Sequence, residues 1–436
     1  MTKRDFIKLS AVTATAIFLP TTIFAGESDG SFDYKNFDNI QFDKNVFSSN
    51  NPQILVIFLP GGSSQLAGNF TNSDEIKRLS ESNYPNIDVS ENGFWNGAGG
   101  EEMESMLANK QLSVVRTIFR EKSNTRSHGT QIIQNQTGSL DGIKSGFFSD
   151  ILYILNKNGL MDEDSIMPSL SFTGGTPVIF QRGSLEIPSH LNFSSIDSDL
   201  DNPYSMKENR YLENQEDELL QALADRQNQL LAKNEIFKKA NNNFQNKTVL
   251  SAYIDSIKES EVLTEFPDTN YGRSIRSSLK VMLNNQDSRL SFMEFGGWDD
   301  HSGAVNNYKR RISDIFKAVN SGVKYLKSQN NRTISIWLFT EFGRNVNLNK
   351  SLGWDHGNIF NLYVAGNNPT YLNMGKIFGE TELFKPKLDG NRVYMQPTED
   401  SEKYEPFAIA STIHKIFGIK NPEVLTGENA IESLLI

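Results

Sequence analysis

The chain alternates short, wholly apolar runs with longer segments in which apolar residues recur every three or four positions. The clearest run is QILVIFLP, Gln53–Pro60, which is closed by Gly61 and Gly62. A run of this length without a polar face predicts a strand that is buried on both sides, as in parallel sheets covered by helices. Similar runs occur at LSVVRTIF (Leu112–Phe119), SLSFTGG (Ser169–Gly175), LSFMEF (Leu290–Phe295), TISIWLFTEF (Thr333–Phe342) and FNLYVAG (Phe360–Gly366).

Helical patterns separate several of these runs. Gly146–Leu155 and Tyr308–Leu326 carry apolar residues at helical spacing. Strands that alternate with helices favour a doubly wound α/β sheet. A further segment, Met206–Gln245, is charged and rich in Gln and Asn, and its leucines recur at about 3.6 residues. It predicts a long amphipathic helix that covers the sheet or forms a lid, and a packing helix is the simpler interpretation.

The beginning of the chain has the pattern of an export signal. The stretch MTKRDFIKLSAVTATAIFLPTTIFA places three basic residues before an apolar segment that ends at Ala25. This pattern predicts a signal over residues 1–25, and KRDFIK resembles the twin-arginine motif with Lys3 in place of the first arginine. A retained anchor is the alternative, but Pro20 breaks the apolar segment and a membrane helix needs about 20 apolar residues.

The remaining chain reads as one large domain. Residues 26–52 are rich in Ser, Asp and Asn, which predicts an irregular lead-in. We expect a single domain over residues 53–436, with the helical segment inserted near 206–260. No second apolar span follows the leader, so the sequence predicts no integral membrane span after signal removal.

The amino-acid composition limits which partners and which kinds of chemistry the protein can have. The 436 residues are 37% apolar and 22% charged, as in ordinary folded proteins. The formal net charge is −10, and removal of the leader, with three positive charges and one negative, would make it −12. Nucleic acid is therefore an unfavourable partner, because phosphate contacts need clustered Lys and Arg. The chain has no cysteine, which excludes disulfides, thiolate ligands and a thiol nucleophile.

Polar residues follow four of the predicted strands, at the edge where ligands gather in α/β sheets. The segments are GGSSQ from Gly61, REKSNTRSHGTQ from Arg120, GGWDDH from Gly296, and TEFGRN from Thr340 with GWDHG soon after. Three of the five histidines, His128, His301 and His356, lie in them. Imidazole with carboxylate suits Zn, Mn or Fe, whereas carboxylate with water suits Mg or Ca.

Each segment also has an interpretation without metal or catalysis. GGWDDH can be a turn with a capping aspartate, DHG a surface loop, and TEFGRN a salt bridge between its glutamate and arginine. In RSH, Ser127 can cap a helix with His128 incidental. His190 and His414 are expected to be structural. The joint occurrence of these segments at successive strand ends favours a functional site.

In this order the motifs resemble a bacterial exported family known as domain of unknown function 1501. The motifs are the twin-arginine-like leader, LVxFLxGG, RSH followed by Gln and TG, GGWDxH, (S/T)EFGR and DHG. They span the chain from Gln53 to the C-terminal TIHKIFGI. That family is similar to the alkaline phosphatase and sulfatase superfamily, which has a mostly parallel sheet between helices. Its enzymes use two metal ions near a Ser, Thr or modified-Cys nucleophile.

The resemblance implies a set of metal ligands. Asp299 and His301 match ligands of one ion, and His356 completes that site. Glu341 would match an acidic ligand of a second ion, with Asp355 as a weaker candidate. We therefore expect one or two divalent ions, of Zn, Mn, Mg or Ca.

The resemblance also places a nucleophile in SNTRSHG, where Thr125 and Ser127 both remain open. Arg344 would hold a nonbridging ester oxygen through its planar fork of donors.

Two departures from the family pattern affect these assignments. The family usually has GGxDG after the first strand, whereas Ser64 stands at the aspartate position here. A hydroxyl is a poorer ligand than a carboxylate, which weakens the case for a second ion. The aspartate and histidine of the superfamily's first site are also usually spaced more widely than Asp299 and His301.

Together these observations predict an exported metal-dependent hydrolase of phosphate or sulfate esters, located in the periplasm or secreted. Its substrate would be a small-molecule or glycan ester. The alternative is a non-catalytic exported protein of the same fold that binds a glycan, a peptide or an envelope partner. Ser64 and the open choice of nucleophile favour this alternative.

Overall fold

The computed structural model describes residues 35–79, 87–142, 144–161, 167–173, 176–183, 260–384 and 392–436, with the single positions 84, 165, 185, 191, 192, 222, 226 and 257. The chain divides into two compact units, Asp33–Asp197 with Glu261–Ile436, and Met1–Phe32 with Ser198–Ser260. Almost all described residues belong to the first unit. The predicted export signal lies outside the described residues, as does the amphipathic helix apart from positions 222 and 226.

A large mixed sheet forms the centre of the first unit. Its strands are β1 (Gln53–Phe58), β2 (Leu112–Phe119), β3 (Ser169–Ser171), β4 (Leu191–Asn192), β5 (Leu290–Glu294), β6 (Ile334–Phe339), β7 (Ile359–Gly366) and β8 (Ile377–Phe378). The order across the sheet is β4-β3-β5-β1-β6-β7-β2-β8. Strand β7 is antiparallel to both β6 and β2, and the other neighbouring pairs are parallel. The predicted mostly parallel α/β sheet is confirmed.

Burial explains why the apolar runs become central strands. Every residue of β1 and of β6 is buried, and β1 lies between β5 and β6, with Val56 opposite both Phe292 and Trp337. Burial of an apolar side chain of this size contributes about 1.5–3 kcal/mol. Five of the six apolar runs singled out in the sequence contain one of these strands, and the sixth, Phe360–Gly366, forms all of β7 except its first residue.

Helices cover the sheet on both faces. Their bounds are α1 (Lys44–Asn50), α2 (Ser73–Leu79), α3 (Gly100–Ala108), α4 (His128–Thr137), α5 (Phe147–Lys157), α6 (Asn270–Asn284), α7 (Ala304–Ser328), α8 (Phe407–Ile416) and α9 (Glu423–Thr426). Helices α5 and α8 share one buried apolar cluster with Val56 and Phe58 of β1. Helix α7 covers the other face, where the ring of Phe316 meets that of Tyr363 in β7 at 5.0 Å.

Two features lie outside the pattern that the sequence predicted. Helix α1 occurs within the segment 26–52, for which an irregular lead-in was expected, and Asp43 caps it by accepting hydrogen bonds from two backbone N–H groups. Strands β9 (Thr381–Phe384) and β10 (Tyr394–Pro397) form a separate antiparallel pair. None of the described helices has the length and apolar character that a membrane crossing requires.

The strand order brings the polar segments to one edge of the sheet. Strands β1, β2, β5 and β6 run in the same direction, so their carboxyl ends meet there, and the antiparallel β7 begins at that edge. Gly61, just after β1, has a φ of +117°, and a Cβ at this position would lie 2.6 Å from the backbone nitrogen of Asp299. Glycine is therefore required where the loop after β1 passes the loop after β5.

Candidate metal centre

Three imidazoles and one carboxylate converge at this edge. His128 begins helix α4, His301 follows β5, and His356 precedes β7. The Nε2 atom of His356 lies 3.1 Å from the Nε2 atoms of both His128 and His301. Oδ1 of Asp299 lies 2.9 Å from His301 Nε2, 3.4 Å from His128 Nε2 and 3.7 Å from His356 Nε2. The structure thus brings the predicted Asp299, His301 and His356 together and adds His128.

The outer nitrogens of two rings identify where their protons lie. Nδ1 of His128 is 2.6 Å from Oε1 of Glu341, and Nδ1 of His356 is 2.8 Å from the carbonyl oxygen of Arg126. A carbonyl and an ionised carboxylate can only accept hydrogen bonds, so we assign the proton of each ring to Nδ1. In the neutral rings, the Nε2 lone pairs then face each other across 3.1 Å.

His301 is the most exposed of the three histidines, with 45% of its side chain accessible. Its Nδ1 lies 3.5 Å from Oδ1 of Asp355, while its Nε2 faces Asp299 and His356. A separation of 2.9 Å from Asp299 Oδ1 fits either a hydrogen bond or two ligands of one ion.

The spacing of these atoms fits a bound cation. His128, Asp299 and His356 each offer one ligand atom, and these atoms all lie within 4.8 Å of one another. Metal–ligand bonds of about 2.0–2.2 Å place the ligands of a tetrahedral ion about 3.3 Å apart. The five separations given above, between 2.9 and 3.7 Å, lie on both sides of that value. Imidazoles with a carboxylate are ligands suited to zinc, manganese or iron.

The electrostatics of the group favour the metal-binding protonation state of His356 and of Asp299, whereas they favour the protonated form of His128. Burial lowers the pKa of His356, and the positive charge of Arg344 adds to that effect. Burial acts to raise the pKa of Asp299, but the hydrogen bond and charge of Arg344 outweigh it, so that pKa is lowered. The hydrogen bond to Glu341 raises the pKa of His128. A neutral imidazole and an ionised carboxylate are the forms that bind metal.

Glu341 is fully buried behind His128. Its Oε1 accepts hydrogen bonds from His128 Nδ1 and from the backbone N–H of Gly61, the latter at 2.8 Å. Its Oε2 accepts one from the hydroxyl of Thr340 at 2.9 Å. Both oxygens are therefore engaged by protein donors, and a ligand role for Glu341 stays a prediction.

Arg344 is enclosed by the loops around the centre. Its Nε donates to the carbonyl oxygen of Gly62 at 2.7 Å, and one terminal nitrogen donates to that of Trp354 at 2.9 Å. The other terminal nitrogen donates to Asp299 Oδ1 at 2.6 Å and to the carbonyl of Gly61. The fork thus fixes Asp299 to the loop after β1, and a contact of Arg344 with an ester oxygen stays a prediction.

The two candidate nucleophiles lie in the exposed loop before α4. Ser127 occupies the N-cap position, but its side chain makes no capping hydrogen bond. Its backbone N–H donates to Oγ1 of Thr125 at 3.4 Å. Arg126, between them, binds His356 through its carbonyl oxygen, so this loop borders the centre. The choice between the two hydroxyls stays open.

The remaining predicted residues have supporting contacts. Oδ2 of Asp355 accepts a hydrogen bond from Nε of Arg392 at 2.9 Å. The Oγ of Ser64 accepts one from the backbone N–H of Leu66 at 3.3 Å. His414 is fully buried, as its structural role requires. His190 lies outside the described residues.

His128 is the member of the centre that the sequence left as incidental. Its position in a strand-end segment, shared with His301 and His356, was the available signal. Its meeting with His356, 228 residues away in the chain, depends on the sheet order.

The fold and the centre define an α/β protein with a candidate metal site at the carboxyl ends of its strands. The chain belongs to the family described as Protein of unknown function (DUF1501), whose model matches residues 51–398. No curated protein matches the chain at a significant level.

Solved structures with a similar chain trace include Ps i-CgsB in complex with k-i-k-neocarrahexaose. That match has 13% identity and a TM-score of 0.40, and covers 87% of this chain and 74% of that one. Another is the lipoteichoic acid synthase LtaP from Listeria monocytogenes, with 8% identity, a TM-score of 0.37, and coverage of 90% and 78%.

Proposed function

We propose that the chain is a metal-dependent hydrolase of phosphate or sulfate esters. His128, Asp299, His301 and His356 would hold a divalent ion. The observation that supports this most directly is the opposition of the Nε2 lone pairs of His128 and His356 at 3.1 Å, beside the carboxylate of Asp299. Acceptors that face acceptors in a partly buried pocket are unfavourable unless a cation lies between them.

A metal ion accounts for the arrangement better than an added proton does. One proton can join only one pair of these atoms. The Nε2 atom of His356, however, faces the Nε2 atoms of both neighbouring rings, and Asp299 Oδ1 lies within 3.7 Å of all three. A divalent ion accepts all of these lone pairs at once.

Such an ion would supply Lewis-acid chemistry, which polarises an ester oxygen and stabilises a leaving oxyanion. The chain's own residues prepare the site for it. Arg344 holds Asp299 in its ionised form, and Glu341 keeps the proton of His128 on Nδ1. The hydroxyls of Thr125 and Ser127, in the loop that contacts His356, are the candidates for attack on the ester.

The predicted leader would place this activity in the periplasm or outside the cell. The exposure of Asp299 and His301, with 52% and 45% of their side chains accessible, suits access by a small-molecule or glycan ester.

A non-catalytic binding protein of the same fold is the second candidate. Ser64 stands where the family pattern has an aspartate and caps a turn. Nε and both terminal nitrogens of Arg344 donate to protein acceptors, which favours this candidate over a contact of Arg344 with a substrate anion.

The experiment compares hydrolysis of aryl phosphate and aryl sulfate esters before chelation, after chelation, and after return of zinc or manganese. We expect hydrolysis to disappear and reappear. At an ion concentration about 1,000 times its Kd, bound metal adds about 4 kcal/mol to the free energy of unfolding, so chelation lowers the melting temperature.

Two variants complete the test. His356→Ala should bind no ion and hydrolyse neither ester, whereas Asp74→Asn should behave as wild type, because Asp74 is 86% exposed on helix α2. A metal-loaded protein without either activity would leave the binding protein as the conclusion. A melting temperature that chelation does not change would contradict metal binding itself.

A further inference from the structure

We infer that the centre holds a single, imidazole-ligated ion, and that Glu341 and Asp355 orient histidine rings instead of ligating a second ion. This inference rests on the proposed function only for the presence of a metal. It departs from the two-ion site that the resemblance implies, and it follows from the contacts of the carboxylates around the centre.

Glu341 is already hydrogen-bonded to the proposed metal ligand His128 and to the loop after β1. Its buried carboxylate lies 2.6 Å from His128 Nδ1 and 2.8 Å from the backbone nitrogen of Gly61. This is the arrangement in which a carboxylate fixes the tautomer and orientation of a metal-bound histidine. To ligate a second ion, Glu341 would have to release its hydrogen bonds to both partners.

Asp355 occupies the corresponding position beside His301. One of its oxygens lies 3.5 Å from His301 Nδ1, and the other accepts the hydrogen bond of Arg392 at 2.9 Å. One oxygen of Asp355 is therefore engaged by Arg392, and the other faces the outer nitrogen of His301 and not the Nε2 atoms at the centre.

Asp300 and Ser64 are also engaged. Both oxygens of Asp300 bind Arg311 of helix α7, at 2.6 and 2.7 Å. Ser64 is 5% exposed and caps the turn that begins at Gln65, while its carbonyl oxygen accepts the hydroxyl of Tyr308 at 2.6 Å. At the strand ends that the structure describes, Asp299 is thus the carboxylate that faces the Nε2 atoms of the three imidazoles.

The ligand set also indicates the class of metal. Up to three imidazole nitrogens and one carboxylate oxygen suit zinc and other imidazole-binding transition ions, whereas Mg²⁺ and Ca²⁺ prefer sites made of oxygen. We therefore expect the isolated protein to retain a transition ion in the presence of excess Mg²⁺ and Ca²⁺.

The first test measures metal per chain by elemental analysis after dialysis against zinc with Mg²⁺ and Ca²⁺ in excess. The expected result is one zinc ion per wild-type chain and none in His356→Ala. Two ions per chain, or displacement of zinc by Mg²⁺ or Ca²⁺, would overturn the inference.

The second test uses variants of Glu341, with cobalt(II) as the probe, titrated by its visible absorption. Glu341→Gln keeps an oxygen that can accept from His128 Nδ1 and should bind one ion within about tenfold of the wild-type affinity. Glu341→Ala should still bind one ion, about 100-fold more weakly. Loss of an ion in Glu341→Gln, in a protein that remains folded, would instead make Glu341 a ligand.

These outcomes separate the inference from the proposed function. One ion per chain without ester hydrolysis would end the hydrolase proposal and leave the single-ion centre intact. Two ions per chain with ester hydrolysis would support the hydrolase proposal and end the single-ion inference. Absence of any bound ion would end the single-ion inference whether or not esters are hydrolysed.

Discussion

At the edge of the sheet, imidazole nitrogens and a carboxylate oxygen face one another, whereas beside helix α5 the ammonium group of Lys35 meets the carboxylate of Asp150 at 2.5 Å. Lys35 and Asp150 are almost completely buried. The ammonium also donates to the carbonyl oxygen of Thr137, and Asp150 accepts from the hydroxyl of Ser145. In this pair each charge lies against its opposite, and both groups have a further hydrogen bond to the protein.

The difference distinguishes a polar cluster that is complete by itself from one that requires a ligand. Burial of Lys35 and Asp150 is tolerated because each compensates the other. At the metal centre, burial is partial and the facing atoms of His128 and His356 are both acceptors. A buried polar group is thus a better indication of function when its neighbours fail to complement it than when they do.

The largest expected effect comes from removing one half of the balanced pair. Lys35→Met leaves Asp150 buried without its cation, which should lower the free energy of unfolding by about 3–5 kcal/mol. Chemical denaturation measures this change. The double variant Lys35→Met/Asp150→Asn should recover part of the loss. Metal content should stay at the wild-type value in both variants. Loss of metal from a folded Lys35→Met protein would contradict the separation of this pair from the metal centre.

His414 sharpens the comparison, because it is an imidazole outside the centre. Its Nε2 lies 3.3 Å from the carbonyl oxygen of Phe147. Burial, assisted by the charge of Lys35, lowers its pKa to about 3. Between this value and its ordinary pKa of about 6.5, only the unfolded state binds the proton, so stability falls as pH falls through this range.

The predicted loss from His414 is about 2 kcal/mol at pH 5 relative to neutral pH. Denaturation in the presence of a chelator removes the contribution of metal binding to stability in the same pH range. His414→Gln keeps a side-chain N–H for Phe147 and does not titrate, so its stability should fall less between pH 7 and pH 5. Equal pH profiles for the two proteins would contradict this assignment.

The smallest expected effect concerns the loop that carries Asp299. Arg311 of helix α7 binds both oxygens of Asp300, donates to the carbonyl of Gly297, and lies 4.7 Å from the ring centre of Trp298. Arg311→Met should loosen this loop and weaken metal binding about tenfold, the lower end of the range for residues that support ligands.

The matched control for Arg311 is Arg310→Met on the exposed side of the same helix. Calorimetric titration with zinc measures both affinities. The Arg310 variant should bind as wild type does. Equal affinities in all three proteins would show that the loop holds Asp299 without help from Arg311.

Much of the sheet could be predicted because a strand that is buried on both faces consists of consecutive apolar residues, which can be recognised from the local sequence. Residues Leu112–Phe119 were expected as a strand and form β2 with the same bounds. The two-residue strands β4 and β8 carry too little local pattern to be recognised. The antiparallel direction of β7 could not be predicted either, because the direction of a strand depends on how the chain returns to the sheet.

The site was predicted in part. The motifs singled out Asp299, His301 and His356, which the structure brings together. The salt bridge between Glu341 and Arg344, which was the alternative interpretation of TEFGRN, gives way to two separate contacts, one from Glu341 to His128 and one from Arg344 to Asp299. Glu341 and Arg344 are three residues apart, and the chain bends at Glu341 after β6, so that the two side chains have different partners.

By itself, the sequence determined which segments become buried strands and which kinds of ligand are available, because burial pattern and residue chemistry are local properties of the chain. The tertiary structure alone decided that His128 joins His356, that Arg344 is enclosed by backbone carbonyls, and that the Nε2 lone pairs face inward. These properties depend on distances and ring orientations between segments far apart in the chain, which only the completed sheet fixes.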